Sequence, residues 1–200
     1  MKPKKISDIR KQEIVESFYQ VMKKEGFKGS SIAKIAKHME VHPSLITHYY
    51  KKKDDLVLDL VDNLLSRYEE MYAVRFENVT DPKMRFRLLL DLVFGPEWGP
   101  LIDNRVFFEC YSLSLRDGRL KDRLKKMYLR FKKILIVEIN SYMEHGVIRG
   151  IDPNKAANFI IALVEGIDYY RNILDDENRV QLDELRQYLK EIVVNTLEKQ

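Results

Sequence analysis

Two short stretches decide the fold: SIAKIA at residues 31–36 and VHPSLITHYY at residues 41–50. Ser31 is a good N-cap, and it is followed by apolar residues that recur at helical spacing. Pro43 suits the first turn of a second helix, because the N–H that proline lacks is unpaired at that position. Two short helices joined by so brief a break predict a helix-turn-helix.

The second of these helices has two faces. Val41, Ile46 and Tyr50 are expected to face inward against the preceding helices. The opposite face is left to project outward, where it can enter a DNA major groove about 12 Å wide. The side chains left on this outer surface are Pro43, Ser44, Leu45, Thr47, His48 and Tyr49.

Charge is distributed unevenly along the chain. Residues 1–53 contain thirteen Lys and Arg and five Asp and Glu, a net charge of +8, whereas the whole chain carries +4. Positive charge concentrated in a short unit is typical of a protein with a polyanionic partner. A lysine-rich surface that is merely solvated would give the same count, so charge alone leaves both interpretations open.

The rest of the chain is also helical in pattern, and the alternation typical of strands is scarce. The first helix is expected to end at Gly26. The pairs Asp81-Pro82 and Asp152-Pro153 are suited to the cap and first turn of two later helices. We therefore predict an all-α protein with about nine helices.

The opening stretches, together with KDDL at residues 53–56, resemble the N-terminal signature of the TetR family of transcriptional regulators. In that signature an Ile-Ala pair precedes a Gly-Val turn, a short recognition helix rich in Tyr and His, and a Lys-acid-x-Leu motif. The match covers roughly residues 10–60 and fixes many positions at once. The resemblance implies a DNA-binding domain at residues 1–53 and a ligand-sensing and dimerisation domain at residues 54–200.

The resemblance also implies roles for individual side chains. Residues at the start of the recognition helix read base edges, and Leu45, as an exposed apolar residue, can contact a thymine methyl group. Other positions bind phosphates, which fix the register of the protein on the duplex. The implied base-reading residues are Pro43, Ser44 and Leu45. The implied phosphate-contacting residues are Ser31, Lys34, Thr47, His48, Tyr49 and Lys53, and His42 before the recognition helix completes the DNA-binding set.

Two residues depart from the family pattern. Glu40 stands where the family usually has glycine in the turn, so the local backbone is expected to differ slightly. A carboxylate there should also keep away from phosphate. His42 replaces the usual Ser or Thr before the recognition helix and is expected to cap it less well.

An effector site is predicted among the fifth to eighth helices, which carry more aromatic residues than a small core needs. Glu165 and Glu109 lie on otherwise apolar helices, and aromatic faces with a partly buried carboxylate favour an apolar or cationic ligand. Ordinary core packing is the alternative for each residue taken singly. The predicted ligand-binding residues are Phe94, Trp98, Phe107, Phe108, Tyr111, Tyr128, Glu165 and Tyr169.

The last two helices are where the resemblance implies a homodimer. Two apolar stripes could form that surface or could be intramolecular core. A dimer would place two recognition helices about 34 Å apart, as a palindromic operator requires. Release by ligand is expected to involve a pendulum-like shift of helix four, because this helix follows the basic unit without a flexible linker. The stripes are Phe159, Ile160, Leu163 and Ile167, then Leu182, Leu185, Leu189 and Ile192.

Several classes of protein are not favoured by the sequence. One cysteine, Cys110, leaves no internal disulfide or cysteine zinc site, and neither a signal peptide nor an apolar run of membrane length occurs. We expect a cytoplasmic protein without cofactor, metal or catalytic residues. The alternative to a DNA-binding repressor is a helical ligand-binding or adaptor protein that no longer binds DNA.

Overall fold

The computed structural model describes residues 6–95, 102–174 and 179–198. Within these ranges the chain forms nine helices and no strand, as predicted, with one isolated antiparallel bridge between Ile148 and Glu198. None of these helices is long and apolar enough to cross a membrane. The helices are α1 (Ile6–Gly29), α2 (Ile32–His38), α3 (Pro43–Tyr49), α4 (Lys53–Phe76), α5 (Pro82–Phe94), α6 (Asn104–Ser114), α7 (Gly118–Glu144), α8 (Pro153–Ile173) and α9 (Arg179–Leu197).

Side-chain caps begin the helices at the predicted places. Ser31 accepts a hydrogen bond from the N–H of Lys34 at 3.2 Å. Asp81 and Asp152 act in the same way at the starts of α5 and α8, each directly before a proline in the first turn. These caps satisfy N–H groups that a helix leaves unpaired at its N-terminus.

The prediction that the first helix ends at Gly26 is confirmed as the point where the regular helical backbone breaks. The helix continues to Gly29 across a kink at Gly26, where φ is 68° and ψ is 173°. Glycine tolerates this left-handed backbone because it has no Cβ. The N–H of Ser30 then donates to the carbonyl of Gly26 at 3.1 Å, so the chain coils again after the kink.

The chain divides into two compact units, and the boundary between them along the sequence is not at residue 53. Unit 1 comprises residues 1–69 and 105–127, and unit 2 comprises residues 70–104 and 128–200. The division predicted at residue 53 concerned function, and it remains a prediction. The core of unit 1 is made from α1 to α4, α6 and the start of α7, and includes Phe18, Leu60 and Val106.

The core of unit 2 draws on α4, α5, α7, α8 and α9. Ile160, Ile167 and Leu182 belong to this core, so these parts of the two C-terminal stripes are intramolecular packing. Phe159 and Leu163 are half-buried and pack against the same cluster.

A polar network lies within this core around the buried carboxylate of Glu138. Glu138 accepts hydrogen bonds from the hydroxyls of Tyr72 and Tyr142 and from the guanidinium of Arg85. Arg85 also donates to the carbonyls of Phe76 at 3.1 Å and Val79 at 2.9 Å, which caps the end of α4. Burial alone would raise the pKa of Glu138, but these hydrogen bonds outweigh it and lower the pKa.

Removal of this carboxylate should destabilise unit 2 strongly. We expect Glu138→Ala to lower the free energy of unfolding by about 3–5 kcal/mol, because Arg85 and two tyrosine hydroxyls would lose their acceptor. Urea denaturation monitored by circular dichroism measures this loss. Glu144→Ala, at an exposed position of the same helix, is the control and should change stability by less than about 0.5 kcal/mol. Equal stability of the two variants would contradict the assignment.

Candidate nucleic-acid interface and effector site

The inner face of the helix-turn-helix is packed as predicted, except that Val41 is only half-buried. Ile35, Ala36 and Ile46 are fully buried, and so is Tyr50 just after α3. The hydroxyl of Tyr50 donates to Asp59 of α4 at 2.7 Å. Burial, followed by this hydrogen bond, raises the pKa of Tyr50 far above its usual value. Tyr50 is therefore a packing residue that fixes the end of α3 to α4.

The turn between α2 and α3 has the backbone of a Schellman motif with glutamate in the glycine position. The N–H of Val41 donates to the carbonyl of Ala36 at 3.0 Å, and the N–H of Glu40 donates to the carbonyl of Lys37 at 3.2 Å. Glu40 has φ of 56°, the left-handed region that favours glycine. The expectation of a different backbone is thus wrong, because the paired N–H groups hold Glu40 in the conformation that glycine would adopt.

The cap of α3 is made by His42. Its Nδ1 accepts a hydrogen bond from the N–H of Ser44 at 3.3 Å and lies 2.8 Å from the Ser44 hydroxyl. This 3.3 Å distance is close to the 3.2 Å distance of the Ser31 cap, so the expectation of a weaker cap stays a prediction. Since Ser44 takes part in this contact, its side chain has an orientation fixed by the histidine.

The outer face of α3 is polar and open to solvent. Pro43, Ser44, Thr47 and His48 are exposed, whereas Leu45 and Tyr49 are half-buried. Leu45, which was expected to be exposed, is thus partly covered by the protein. Tyr49 packs edge-on against His48, with ring centroids 5.1 Å apart.

Two lysines predicted to bind phosphate have partners within the protein. The ammonium of Lys34 donates to the carbonyl of Gly29 at 2.9 Å and pairs with Glu25. The ammonium of Lys53 donates to the carbonyls of Phe27 at 2.6 Å and Ser30 at 2.9 Å. It also lies 3.9 Å from the centre of the Phe27 ring. Both lysines therefore help to hold the corner between α1 and α2.

Burial is the largest influence on Lys53 and lowers the pKa of its ammonium, while Asp54 and Glu109 oppose the change. Its neighbours Lys51 and Lys52 are exposed. These two lysines were not among the predicted DNA-binding residues, although their exposure makes them equally good candidates for phosphate contact. The signal that could have separated them is helical register, since Lys53 alone begins α4.

Glu109 was expected to line a ligand pocket, but its side chain contacts α1 instead. Its carboxylate accepts a hydrogen bond from the N–H of Phe27 at 2.6 Å. A Cβ at Gly26 would lie 3.0 Å from the same carboxylate, closer than nearly all contacts of real Cβ atoms. Helix α6 thus binds the kink of α1 through a side chain, and Gly26 leaves room for it.

The predicted effector residues are divided between the two units. Phe107, Phe108 and Tyr111 belong to unit 1, and Phe94, Tyr128, Glu165 and Tyr169 belong to unit 2. Phe94 is buried and packs in the unit 2 core, whereas Tyr111 and Tyr169 are 48% and 56% exposed. Trp98 lies outside the described residues.

Glu165 and Tyr128 are brought together by hydrogen bonding between their side chains. Burial raises the pKa of Glu165 to about 7, and nearby Asp168 adds to this effect while the bond from Tyr128 opposes it. A bound cation would stabilise the ionised form of a carboxylate in such surroundings, because their attraction offsets the cost of burying the negative charge.

Relief of the strain at Glu40 is a direct test of the turn. We expect Glu40→Gly to raise the free energy of unfolding by about 0.5–1 kcal/mol. A residue with a Cβ in the left-handed region is strained by about 1–2 kcal/mol, and glycine removes this strain. Part of the gain is lost because glycine has a greater chain entropy in the unfolded state. Chemical denaturation measures the difference.

The matched control is Lys37→Gly, at an exposed position in the ordinary helical backbone of α2. It should lower stability by about 1 kcal/mol. A loss of stability in Glu40→Gly as large as in the control would show that the turn does not hold Glu40 in a strained conformation.

Comparisons with known proteins agree with this arrangement of helices. A family model described as "Bacterial regulatory proteins, tetR family" matches residues 14–60, and one described as "Tetracyclin repressor-like, C-terminal domain" matches residues 81–198. The HTH-type transcriptional regulator BetI of Pseudomonas fluorescens is 30% identical over 169 residues, which cover 80% of this chain and 79% of the relative.

Solved structures show the same fold. A TetR transcription regulator from Haloarcula marismortui has a TM-score of 0.83 at 24% identity and covers 96% of this chain and 100% of its own. A transcriptional regulator from Saccharomonospora viridis, solved in complex with choline, has a TM-score of 0.78 at 18% identity, with coverage of 96% and 100%. The second family model alone spans more than half of the chain. The chain therefore belongs to the TetR family of transcriptional regulators.

Proposed function

We propose that this TetR-family regulator acts as a homodimeric repressor that binds a palindromic operator through α3 and leaves it when a small cationic ligand binds. The observation that carries the DNA-binding part is the exposed polar face of α3, held on a buried inner face, in a segment of net charge +8. A fixed polar helix surface in a basic unit is what major-groove recognition needs.

In this proposal the N-terminal end of α3 reads bases and the surrounding side chains hold phosphates. Pro43, Ser44 and Leu45 are the proposed base contacts, and the half-covered Leu45 keeps enough exposed surface for a thymine methyl group. Contacts to phosphate then set the register of the helix in the groove. The proposed phosphate contacts are Ser31, Lys34, Thr47, His48, Tyr49 and Lys53, with Lys51 and Lys52 added.

The function is tested by selection of bound fragments from sheared genomic DNA, followed by sequencing. Enrichment of one imperfect palindrome near a promoter is the expected result and would also support the dimer. Absence of enrichment, both as purified and after refolding without any co-purified ligand, would contradict DNA binding. That result would favour a helical ligand-binding or adaptor protein.

Lys53 can combine phosphate contact with its structural role, since an ammonium has three N–H donors and two are used on carbonyls. We expect Lys53→Ala to weaken binding to every DNA sequence and to reduce the slope of log K against log salt by about 1. Fluorescence anisotropy across a salt series measures both.

Lys155→Ala, an exposed lysine at the start of α8, is the control and should leave the slope unchanged. If Lys53→Ala weakens binding with an unchanged slope, Lys53 does not contact phosphate and acts only by holding the corner between α1 and α2.

The dimer is proposed to form through α8 and α9. Apart from the residues used in the core of unit 2, both helices expose large apolar side chains, and contiguous exposed apolar surface is typical of association sites. A two-fold axis between identical faces would give the symmetry that a palindrome requires. The exposed residues are Tyr169, Tyr170, Ile173, Val180 and Tyr188.

The proposed effector is a small cation held at Glu165. The support is the hydrogen-bonded pair of Glu165 and Tyr128, together with the choline found in the Saccharomonospora viridis protein. The face of an aromatic ring attracts a quaternary ammonium group, and the charge of a partly buried carboxylate beside the ring adds to this attraction. Neutral apolar ligands would gain nothing from the carboxylate.

Choline is the probe for this site, and its binding should depend on pH. With a pKa of about 7, Glu165 is mostly protonated at pH 6 and mostly ionised at pH 8. The association constant measured by calorimetry should therefore rise about tenfold between these pH values.

Glu165→Gln should bind choline more weakly and show no such rise. Tyr128→Phe should move the midpoint to higher pH, because the hydrogen bond that lowers this pKa is lost. The same pH profile in the wild type and Glu165→Gln would contradict the site.

Release from DNA is proposed to follow a shift of α4. Lys53 at the start of α4 and Glu109 of α6 both bind the main chain of Phe27, so a change in either helix would reach the corner that precedes α2. The ligand must favour the DNA-incompetent state, since equal affinity for both states shifts nothing. Identical separation of the α3 helices in free and ligand-bound dimers would contradict this mechanism.

A further inference from the structure

A cleft of about 430 Å³ lies in unit 2 between α5 and α9. One wall carries Leu88, Asp91 and Leu92, and the other carries Asp183, Arg186 and Lys190. Each set follows helical spacing, so each belongs to a single helix face. The volume is within the range of small-molecule sites. Tyr128 and Glu165 do not line the cleft.

The cleft is lined by both apolar and charged side chains. Leu88, Leu92 and Phe94 supply aliphatic and aromatic surface. Three cations also line the cleft, Arg75, Arg186 and Lys190, against two carboxylates. Apolar surface beside cationic side chains fits a molecule with an apolar body and an anionic end.

The cations lie deeper than the carboxylates with which they pair. The Arg186 side chain is 11% exposed and its partner Asp183 is 58% exposed, with 2.7 Å between the paired atoms. Lys190 is 26% exposed and its partner Asp91 is 56% exposed. Half-exposed ion pairs contribute little to stability, so a ligand anion can replace Asp183 or Asp91 at small cost. Asp168 of α8 also attracts Arg186 electrostatically.

We propose that this cleft binds a small organic carboxylate. The carboxylate lies against Arg186 and Lys190, and the apolar part lies on Leu88, Leu92 and Phe94. Arginine favours a carboxylate because its planar fork can donate two parallel hydrogen bonds. The site uses different side chains from the effector site at Glu165, where a ligand of the opposite charge is proposed.

The test compares three probes with the same eight-carbon chain: octanoate, octan-1-ol and octylammonium. Titration calorimetry at pH 8 on the Glu165→Gln variant, which lacks the carboxylate of the proposed cation site, should give octanoate an affinity at least tenfold higher than either of the others. Acetate should bind much more weakly than octanoate, because it lacks the apolar body. Octanoate no tighter than octan-1-ol would overturn the proposal.

Variants then locate the binding. Arg186→Gln should reduce octanoate affinity by roughly tenfold to a hundredfold, as loss of a charged hydrogen-bond donor implies. Arg87→Gln, at a 63% exposed arginine of α5 outside the cleft, should leave the affinity unchanged. Asp183→Asn should tighten octanoate binding several-fold, because a competing carboxylate is removed from Arg186.

A gain of affinity in Asp183→Asn cannot result from misfolding, so the proposal stays testable if Arg186→Gln folds poorly. Glu165→Gln should not change octanoate binding, which separates this site from the effector site. Unchanged affinity in both Arg186→Gln and Asp183→Asn would overturn the proposal. Loss of octanoate binding in Glu165→Gln would do so as well.

Discussion

The main chain of Phe27 is bound through both of its polar groups, and the position of the DNA-facing helices depends on this. Its N–H donates to Glu109 of α6, and its carbonyl accepts from Lys53 of α4. Because α2 begins only five residues later, the direction of α2, and of α3 packed on it, follows from this corner. The kink at Gly26 makes the approach of Glu109 possible, since a side chain there would meet the carboxylate.

In unit 2, a hydrogen-bond network around Glu138 fixes a helix end in a similar way. A carboxylate placed deep in a core is costly, and it is tolerated there because arginine and two tyrosines donate to it. Arg85 then ties the end of α4 to this network through two carbonyls. Each unit thus fixes a helix end by side chains that satisfy main-chain groups, in addition to apolar packing.

The helix-turn-helix could be predicted closely from the sequence, because its signals are local. Caps, prolines and the apolar spacing of α2 and α3 act within a few residues, and the inward position of Tyr50 followed from register. Partners remote in sequence could not be foreseen. Lys53 is bonded to a segment 26 residues away and Glu109 to one 82 residues away, and neither spacing leaves a periodic signal. Glu40 was predicted to change the turn, yet the hydrogen bonds around it impose the left-handed backbone.

The sequence by itself determined the helical class, the places where helices begin and the helix-turn-helix, since cap chemistry and apolar period are properties of neighbouring residues. Only the tertiary structure decided which charged side chains are structural and which are exposed. It bound Lys53 and Glu109 to Phe27, joined Glu165 to Tyr128, and placed Arg186 deeper in its cleft than Asp183. The physical reason is that burial and hydrogen bonding of a charge depend on what folds against it, and a linear pattern does not contain that information.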